Sequence, residues 1–444
     1  MSNTKERLKS MKEEILEKVR EYYLLSESEG LVVPDPYVKY VWRTWNEDEL
    51  TALVSSSLEQ KVTYGLSSKE FERKFAKTVG QKYGIFVNSG SSANWAAVSA
   101  LTSKTFSDER RHLKEGDEVI TPAATFPTTL GVLLMNKLLP VFVDIDLGTY
   151  NMDPQKIKEA VSDKTRLIML PHTLGNPNDM DAVMNIAKEK GLYVIEDSCD
   201  ALGSEYGGKK LGTFGDLGTF SFYLSHHIST GEGGMVVMKN PLLKRTVESF
   251  RDWGRDCWCE PYKSDTCGKR FEWKLGNLPQ GYDHKYTFSN IGLNLKPLDL
   301  QAAIGLKQLE KLPWIINQRK RNFEKIVSGL SEFEEHLILP QSVPNANPCW
   351  FSIPLTVKKN SSMNRRDLVN YLTKKGIETR PFFAGNILKQ PAYVGINHRV
   401  SGGLENTDLA MESTFFIGCH PLLTEEMIDY VANSFKSYFE KNAS

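Results

Sequence analysis

Leu8, Met11, Ile15, Val19 and Tyr22 recur at three- and four-residue intervals among Lys and Glu. The spacing predicts an amphipathic helix whose apolar face packs on the protein or on a dimer partner. Residues 31–65, with Pro34, Pro36, Tyr37, Tyr40, Trp42 and Trp45, form a lead-in expected to lie over a larger domain. From Ser67 the pattern alternates. Ser68 to Ala76 has helical spacing, and short apolar runs follow at 83–89, 118–121, 140–144, 166–170, 192–196, 218–222 and 234–238, with helical stretches between most of them. Such alternation predicts an α/β domain with a mostly parallel sheet covered by helices, and it places ligands at the carboxyl ends of the strands. After Gly305 to Pro313 a long charged helix is expected through Gln318, Arg321 and Phe323. A strand at 350–357 and helices at 365–375 and 425–440 then predict a smaller α+β domain. The expected division is 1–65, 66–315 and 316–444.

Composition narrows the partners. The 444 residues carry 55 Lys and Arg against 55 Asp and Glu, giving no net charge and no electrostatic reason to seek nucleic acid or an acidic membrane. A small-molecule partner fits better. The longest apolar runs, such as Gly131 to Met135, are too short to span a bilayer, so a cytoplasmic protein is expected. Six cysteines are too few for a disulfide scaffold of this length.

Three strand ends carry candidate chemistry. Ser89-Gly90-Ser91-Ser92-Ala93-Asn94 follows a strand and opens a helix, where free amides, hydroxyls and the helix dipole can hold a phosphate. Asp197 ends the run Ile195-Glu196-Asp197, and a carboxylate there can pair with a protonated pyridine nitrogen. Phe126 ends Thr121-Pro-Ala-Ala-Thr-Phe126 and can stack on a flat ring. Together these segments resemble the fold-type-I pyridoxal phosphate enzymes, within them the family of sugar-nucleotide aminotransferases and dehydratases, over nearly the whole chain from about Leu50. The resemblance implies a mostly parallel seven-stranded sheet with helices on both faces. It also implies that Ser91, Ser92 and Ser221 hold the cofactor phosphate, that Phe126 stacks on the ring, and that Asp197 meets the pyridine nitrogen. Asn294, in Gly292-Leu-Asn294-Leu-Lys-Pro, matches a segment that in this family reaches the phosphate of the neighbouring subunit, which implies a homodimer. Arg380, in Arg380-Pro-Phe-Phe-Ala-Gly-Asn, resembles the substrate-side loop and could pair with a diphosphate. Asp200 departs from the His or Gln of many relatives.

The stretch from Thr219 to Gly234 contains no lysine. In the family frame His226 stands where the Schiff-base lysine would be, and His227 is its neighbour outside that register. Imidazole cannot form the stable imine, so pyridoxamine phosphate bound without a covalent tether is expected. His226 is then a candidate general base for a proton on the cofactor's C4′.

Cys199, Cys257, Cys259 and Cys267 have the spacing C-x57-C-x-C-x7-C, with the last three in one irregular loop. Four thiolates suit either zinc or an iron–sulfur cluster. The spacing, with Asp-Ser-Cys199-Asp-Ala-Leu and Phe-Arg-Asp-Trp-Gly-Arg-Asp-Cys257 around it, resembles the [2Fe-2S] pattern of the CDP-4-keto-6-deoxyglucose 3-dehydrases. That resemblance implies a cluster loop at 254–290, C3 dehydration of a nucleotide-linked 4-keto-6-deoxyhexose on the way to a 3,6-dideoxy sugar, and a flavin/iron–sulfur NAD(P)H-dependent reductase as partner. Cys349 and Cys419 are expected to be plain thiols. Two other readings share the frame. An iron-free dehydratase would keep His226 but has no use for four cysteines, and a non-catalytic sugar-nucleotide sensor need not keep Asp197, Ser221 and His226 together.

Overall fold

The computed structural model describes residues 2–28, 37–359 and 363–442; Pro34 and Pro36 lie outside them. The first helix, Ser2–Ser28, forms as its spacing predicts, but much of its apolar stripe faces outward, with Leu8 61%, Met11 48% and Tyr22 70% exposed. It leans on helix Glu47–Leu58, whose Asn46 cap and Glu49 close a reciprocal capping box.

Seven strands build the main sheet: β1 (Tyr83–Val87), β2 (Glu118–Pro122), β3 (Leu139–Val143), β4 (Thr165–Pro171), β5 (Tyr193–Asp197), β6 (Leu217–Ser221) and β7 (Gly234–Met238). A short edge strand, β8 (Arg399–Val400), extends it, so the order is β1-β7-β6-β5-β4-β2-β3-β8. Only β7 runs antiparallel to its two neighbours. The sheet therefore has eight strands rather than seven, and the added one comes from the C-terminal third of the chain. Two residues with no apolar run give no strand signal of their own; pairing with Val141 and Phe142 supplies it. Burial is nearly complete along the central strands, and β2, β5, β6 and β7 are buried at every position. Helices cover the sheet, and Gly90–Thr102 packs against β6 and β7.

Helix Asp299–Leu330 joins this body to the rest of the chain. It begins well before the expected start and runs through Pro313. Leu312 and Ile315, buried in the cluster with Phe71, Phe75 and Phe222, hold the helix on both sides of the proline. The expected division at 315–316 falls inside this helix. Beyond it, Leu337–Ile338, Ser352–Val357, Thr414–Gly418 and Thr379–Pro381 make a four-stranded antiparallel sheet, backed by helices Arg365–Lys374 and Glu425–Asn442. The residues between Pro381 and Val400 turn back over the first sheet. The cleft lies under that return.

Candidate functional site

The cleft has a volume of about 730 Å³ and is lined by Ser91, Phe126, Asp197, Ser221, His226 and Arg380 among others. That size lies within the range of small-molecule sites. Its floor is set by strand ends. Asp197 closes β5 and is nearly buried; its Oδ2 accepts from Asn94 Nδ2 at 2.8 Å and Thr129 Oγ1 at 2.9 Å. Asn94 Oδ1 in turn accepts from Thr219 Oγ1 on β6. These partners hold one carboxylate edge and satisfy the ionised form, leaving Asp197 turned to the cleft. Asn94 belongs to the phosphate motif and Thr129 to helix Pro127–Met135, and neither was singled out from sequence. For Asn94 a signal existed: it stands three residues after Ser91, one helical turn along the same face.

Ser89 caps helix Gly90–Thr102, its hydroxyl accepting from Ser92 N at 3.0 Å. Ser92 Oγ donates to Asn88 Oδ1 at 2.6 Å, so Ser92 spends its hydroxyl on the cap and does not line the cleft. Ser91 and Ser221 do line it. Between them Gly90 leaves room that no other residue would: a Cβ there would come within 2.5 Å of Ser221 Cβ and 3.2 Å of Cys199 Sγ. Phe126 is 54% exposed and meets Phe383 edge-on at 6.4 Å between ring centres. Thr125 and Thr173, both at the cleft wall, carry buried hydroxyls with no hydrogen-bond partner among the described residues.

A pyridine ring with a phosphate fits these features. The anion would meet free amides, the hydroxyls of Ser91 and Ser221 and the Gly90 hollow at the helix N-terminus; the ring nitrogen would meet Asp197 and the ring face Phe126. Two further residues named from the sequence have partners of their own. Asn294 is exposed outside the cleft of its own chain and accepts from Lys296 Nζ at 2.6 Å. Arg380 lines the cleft, yet it pairs with Glu378 and sits 4.5 Å over the Tyr40 ring.

His226 and His227 diverge. Phe222 N bonds Gly233 O and Thr230 N bonds Phe222 O, closing the loop between β6 and β7 so that its two histidines point apart. His226 lines the cleft, its ring 5.4 Å from that of Phe351 and its Nδ1 3.2 Å from Asp200 Oδ1. His227 is buried away from it, with Nε2 donating to the Cys349 carbonyl at 2.9 Å. Burial, then the nearby Arg319, pushes His227 well below the usual imidazole range. No lysine lines the cleft among the described residues.

The four cysteines are not gathered. Among the described residues no group of three or more His, Cys, Asp or Glu side chains is placed to hold a metal ion. Cys199 borders the cleft, where burial, then Asp197 and Asp200, push its thiol well above the usual range. Cys257 and Cys259 lie close to each other in the loop, and Cys259 Sγ accepts from Thr266 Oγ1 at 3.3 Å. Cys267 Sγ is 3.9 Å from Asp265 Oδ1. The loop from Trp253 to Ile291 has one short 3-10 helix among the described residues and is otherwise irregular. It is pinned instead by an aromatic clasp. Trp273 stacks on His284 at 4.9 Å, Trp258 meets His284 edge-on, Arg245 covers Trp258, and His284 Nε2 bonds Asp256 Oδ1 at 2.6 Å. Cys349 and Cys419 are buried, and burial pushes their thiols up to about 12 and about 11.

Residues 44–436 match the family described as the DegT/DnrJ/EryC1/StrS aminotransferase family. The chain is 46% identical to a dTDP-4-dehydro-2,6-dideoxy-D-glucose 3-dehydratase of Saccharopolyspora spinosa, over 97% of this chain and 93% of that protein. It is 49% identical to a lipopolysaccharide biosynthesis protein of Salmonella typhimurium, over 89% and 90%. The solved Escherichia coli GDP-4-keto-6-deoxy-D-mannose-3-dehydratase with bound hydrated PLP superposes with a TM-score of 0.80 at 32% identity, covering 89% of this chain and 98% of that one.

Proposed function

The chain belongs to the DegT/DnrJ/EryC1/StrS aminotransferase family, and on that footing we propose that it is a pyridoxamine-phosphate-dependent 3-dehydratase of a nucleotide-linked 4-keto-6-deoxyhexose. The observation that carries this reading is a cleft lined by Asp197, Ser91, Ser221 and His226, with no lysine on its wall among the described residues. When bound, the cofactor supplies the amine that condenses with the ketone and the ring that accepts electrons. Asp197, its carboxylate oriented by Asn94 and Thr129, would face the ring nitrogen. Ser91, Ser221 and the helix N-terminus anchor the phosphate without a covalent tether. His226, at the cleft wall, would be the residue that accepts a proton at C4′ and supplies one to a departing C3 hydroxyl. Lacking a primary amine, it cannot displace the bound cofactor, which favours loss of hydroxyl over a full transamination cycle. Phe351, Phe383 and Phe416 close the cleft from the second sheet and limit water.

The finer reading adds a [2Fe-2S] cluster on Cys199, Cys257, Cys259 and Cys267, electrons from a separate reductase, and CDP-4-keto-6-deoxyglucose as the substrate. Its support is the spacing of the four thiols and the position of Cys199 at the cleft. The geometry here does not assemble the set, so no chemical step is assigned to it. A homodimer belongs to the same reading, since Asn294 stands exposed beside Ile291, 95% exposed, and Leu293, 50% exposed.

Incubation of the pyridoxamine-phosphate form with a panel of CDP-, dTDP- and GDP-linked 4-keto-6-deoxyhexoses tests the proposal. Loss of the C3 hydroxyl is the expected result. Formation of a 4-amino sugar with an amino-acid donor would replace the dehydratase with an aminotransferase.

A further inference from the structure

Asp200 is the residue at the cleft whose partner the sequence does not disclose. It stands three residues past the β5 carboxylate Asp197, and its Oδ1 lies 3.2 Å from His226 Nδ1. That nitrogen is buried and has no aligned hydrogen bond, and it is the only atom of the His226 ring in this condition. On the ring's other side stands Phe351, an apolar neighbour with nothing to donate or accept. The histidine next in sequence shows the contrast, because its Nε2 is already committed to the Cys349 carbonyl.

The geometry points to Asp200 as a positioning residue that holds the proton of His226 on Nδ1 and so presents the lone pair of Nε2 to the cleft; this rests on His226 being the base proposed above. The reason is local. Which ring nitrogen of a neutral histidine carries the proton is set by the hydrogen bond that the other atom makes, and an unassisted imidazole favours the proton on Nε2. A proton on Nε2 would leave the cleft facing a donor, which cannot accept a proton from C4′. A carboxylate at Nδ1 reverses the preference, and a small turn of the Asp200 side chain aligns it. In this arrangement Asp200 acts through His226.

The test reads the tautomer directly. Nitrogen-15 spectra of ring-labelled protein, without cofactor or substrate, separate protonated from unprotonated ring nitrogens, and His226→Gln assigns the signals. The native chain should show His226 protonated on Nδ1 in its neutral form, while His227 shows the proton on Nε2 and serves as an internal reference. In Asp200→Ala the His226 proton should move to Nε2, and C4′ proton exchange in the loaded enzyme should fall about a hundredfold. Asp200→Asn, whose amide can donate to Nδ1, should likewise move the proton to Nε2 and lower the exchange while keeping the fold. A native spectrum with the proton on Nε2 overturns the proposal without any variant, as does an unchanged tautomer in Asp200→Ala. Because the spectra need no substrate, a chain that proved to be an aminotransferase would still answer the question.

Discussion

His227 Nε2 donates to the carbonyl of Cys349 across 2.9 Å, tying the loop between β6 and β7 to the start of the second sheet. With burial and Arg319 holding it well below the usual imidazole range, this histidine stays neutral and structural. His226, one residue earlier, faces the cleft. The pair gives a direct contrast. His226→Asn should still bind pyridoxamine phosphate but lose C4′ proton exchange, read by washout of deuterium from the cofactor. His227→Leu should leave a buried carbonyl without its donor and lower stability by about 1–3 kcal/mol, measured by denaturant unfolding. Unchanged exchange in His226→Asn would remove it as the base.

Asp197 works through a fixed carboxylate, so Asp197→Asn should weaken cofactor binding and shift the absorption band of any cofactor that remains. Asn94→Ala removes one of its two Oδ2 partners and should give a smaller effect in the same direction. Titration of the apoenzyme followed by absorbance measures both.

Gly90→Ala places a methyl group 2.5 Å from Ser221 Cβ. It should cost cofactor affinity with little change in the secondary structure seen by circular dichroism, since the crowding is confined to the phosphate end. Ser92→Ala tests the other half of the motif. Its hydroxyl serves the helix cap, so its loss should lower stability by about 1 kcal/mol and leave the cofactor bound.

Arg251 is buried at the head of the cysteine loop and bonds Glu72 at 3.0 Å and Asp252 at 2.8 Å. Arg251→Met should remove a buried cation from Glu72, which keeps only Lys69 as a charged partner among the described residues, and cost about 3–5 kcal/mol. The same network has a pH signature. Burial alone would raise Glu248, but Lys69, Arg251 and Lys244 outweigh it and pull the carboxyl down to about 2 from an ordinary 4.5. A depressed folded value means that this stability is present above about pH 4.5 and is lost as the pH falls from there toward 2. Thermal melts of native and Glu248→Gln protein should converge across that range.

Iron and acid-labile sulfide in anaerobically purified protein decide the cysteines. A brown protein with about two irons per chain supports the cluster, and it requires the loop to bring Cys257, Cys259 and Cys267 to Cys199. Colourless, iron-free protein that still removes the C3 hydroxyl leaves those thiols outside the chemistry. Asp256→Ala, which releases the clasp on His284, should loosen the loop in hydrogen exchange whichever result is found.

The sequence by itself determined the sheet-building segments, because buried parallel strands need unbroken apolar runs and each run stands between helical stretches. It also placed Asp197, Ser91, Ser221 and His226 at strand ends or in the loops beyond them, where a ligand must come. The edge strand at Arg399–Val400 was not legible, since two residues become a strand only when a neighbour offers hydrogen bonds. Nor was the division of labour between Ser91 and Ser92, which depends on a cap bond to Asn88 that only the folded turn creates. The cysteine spacing suggested a set, while the fold places Cys199 in the turn just past β5 and the other three on a loop held by aromatic contacts. The family register singled out His226 over His227, but the physical reason for their difference lies in the tertiary structure. Adjacent imidazoles have the same chemistry in the chain, and only packing gave one a backbone carbonyl and the other Asp200 and an open cleft.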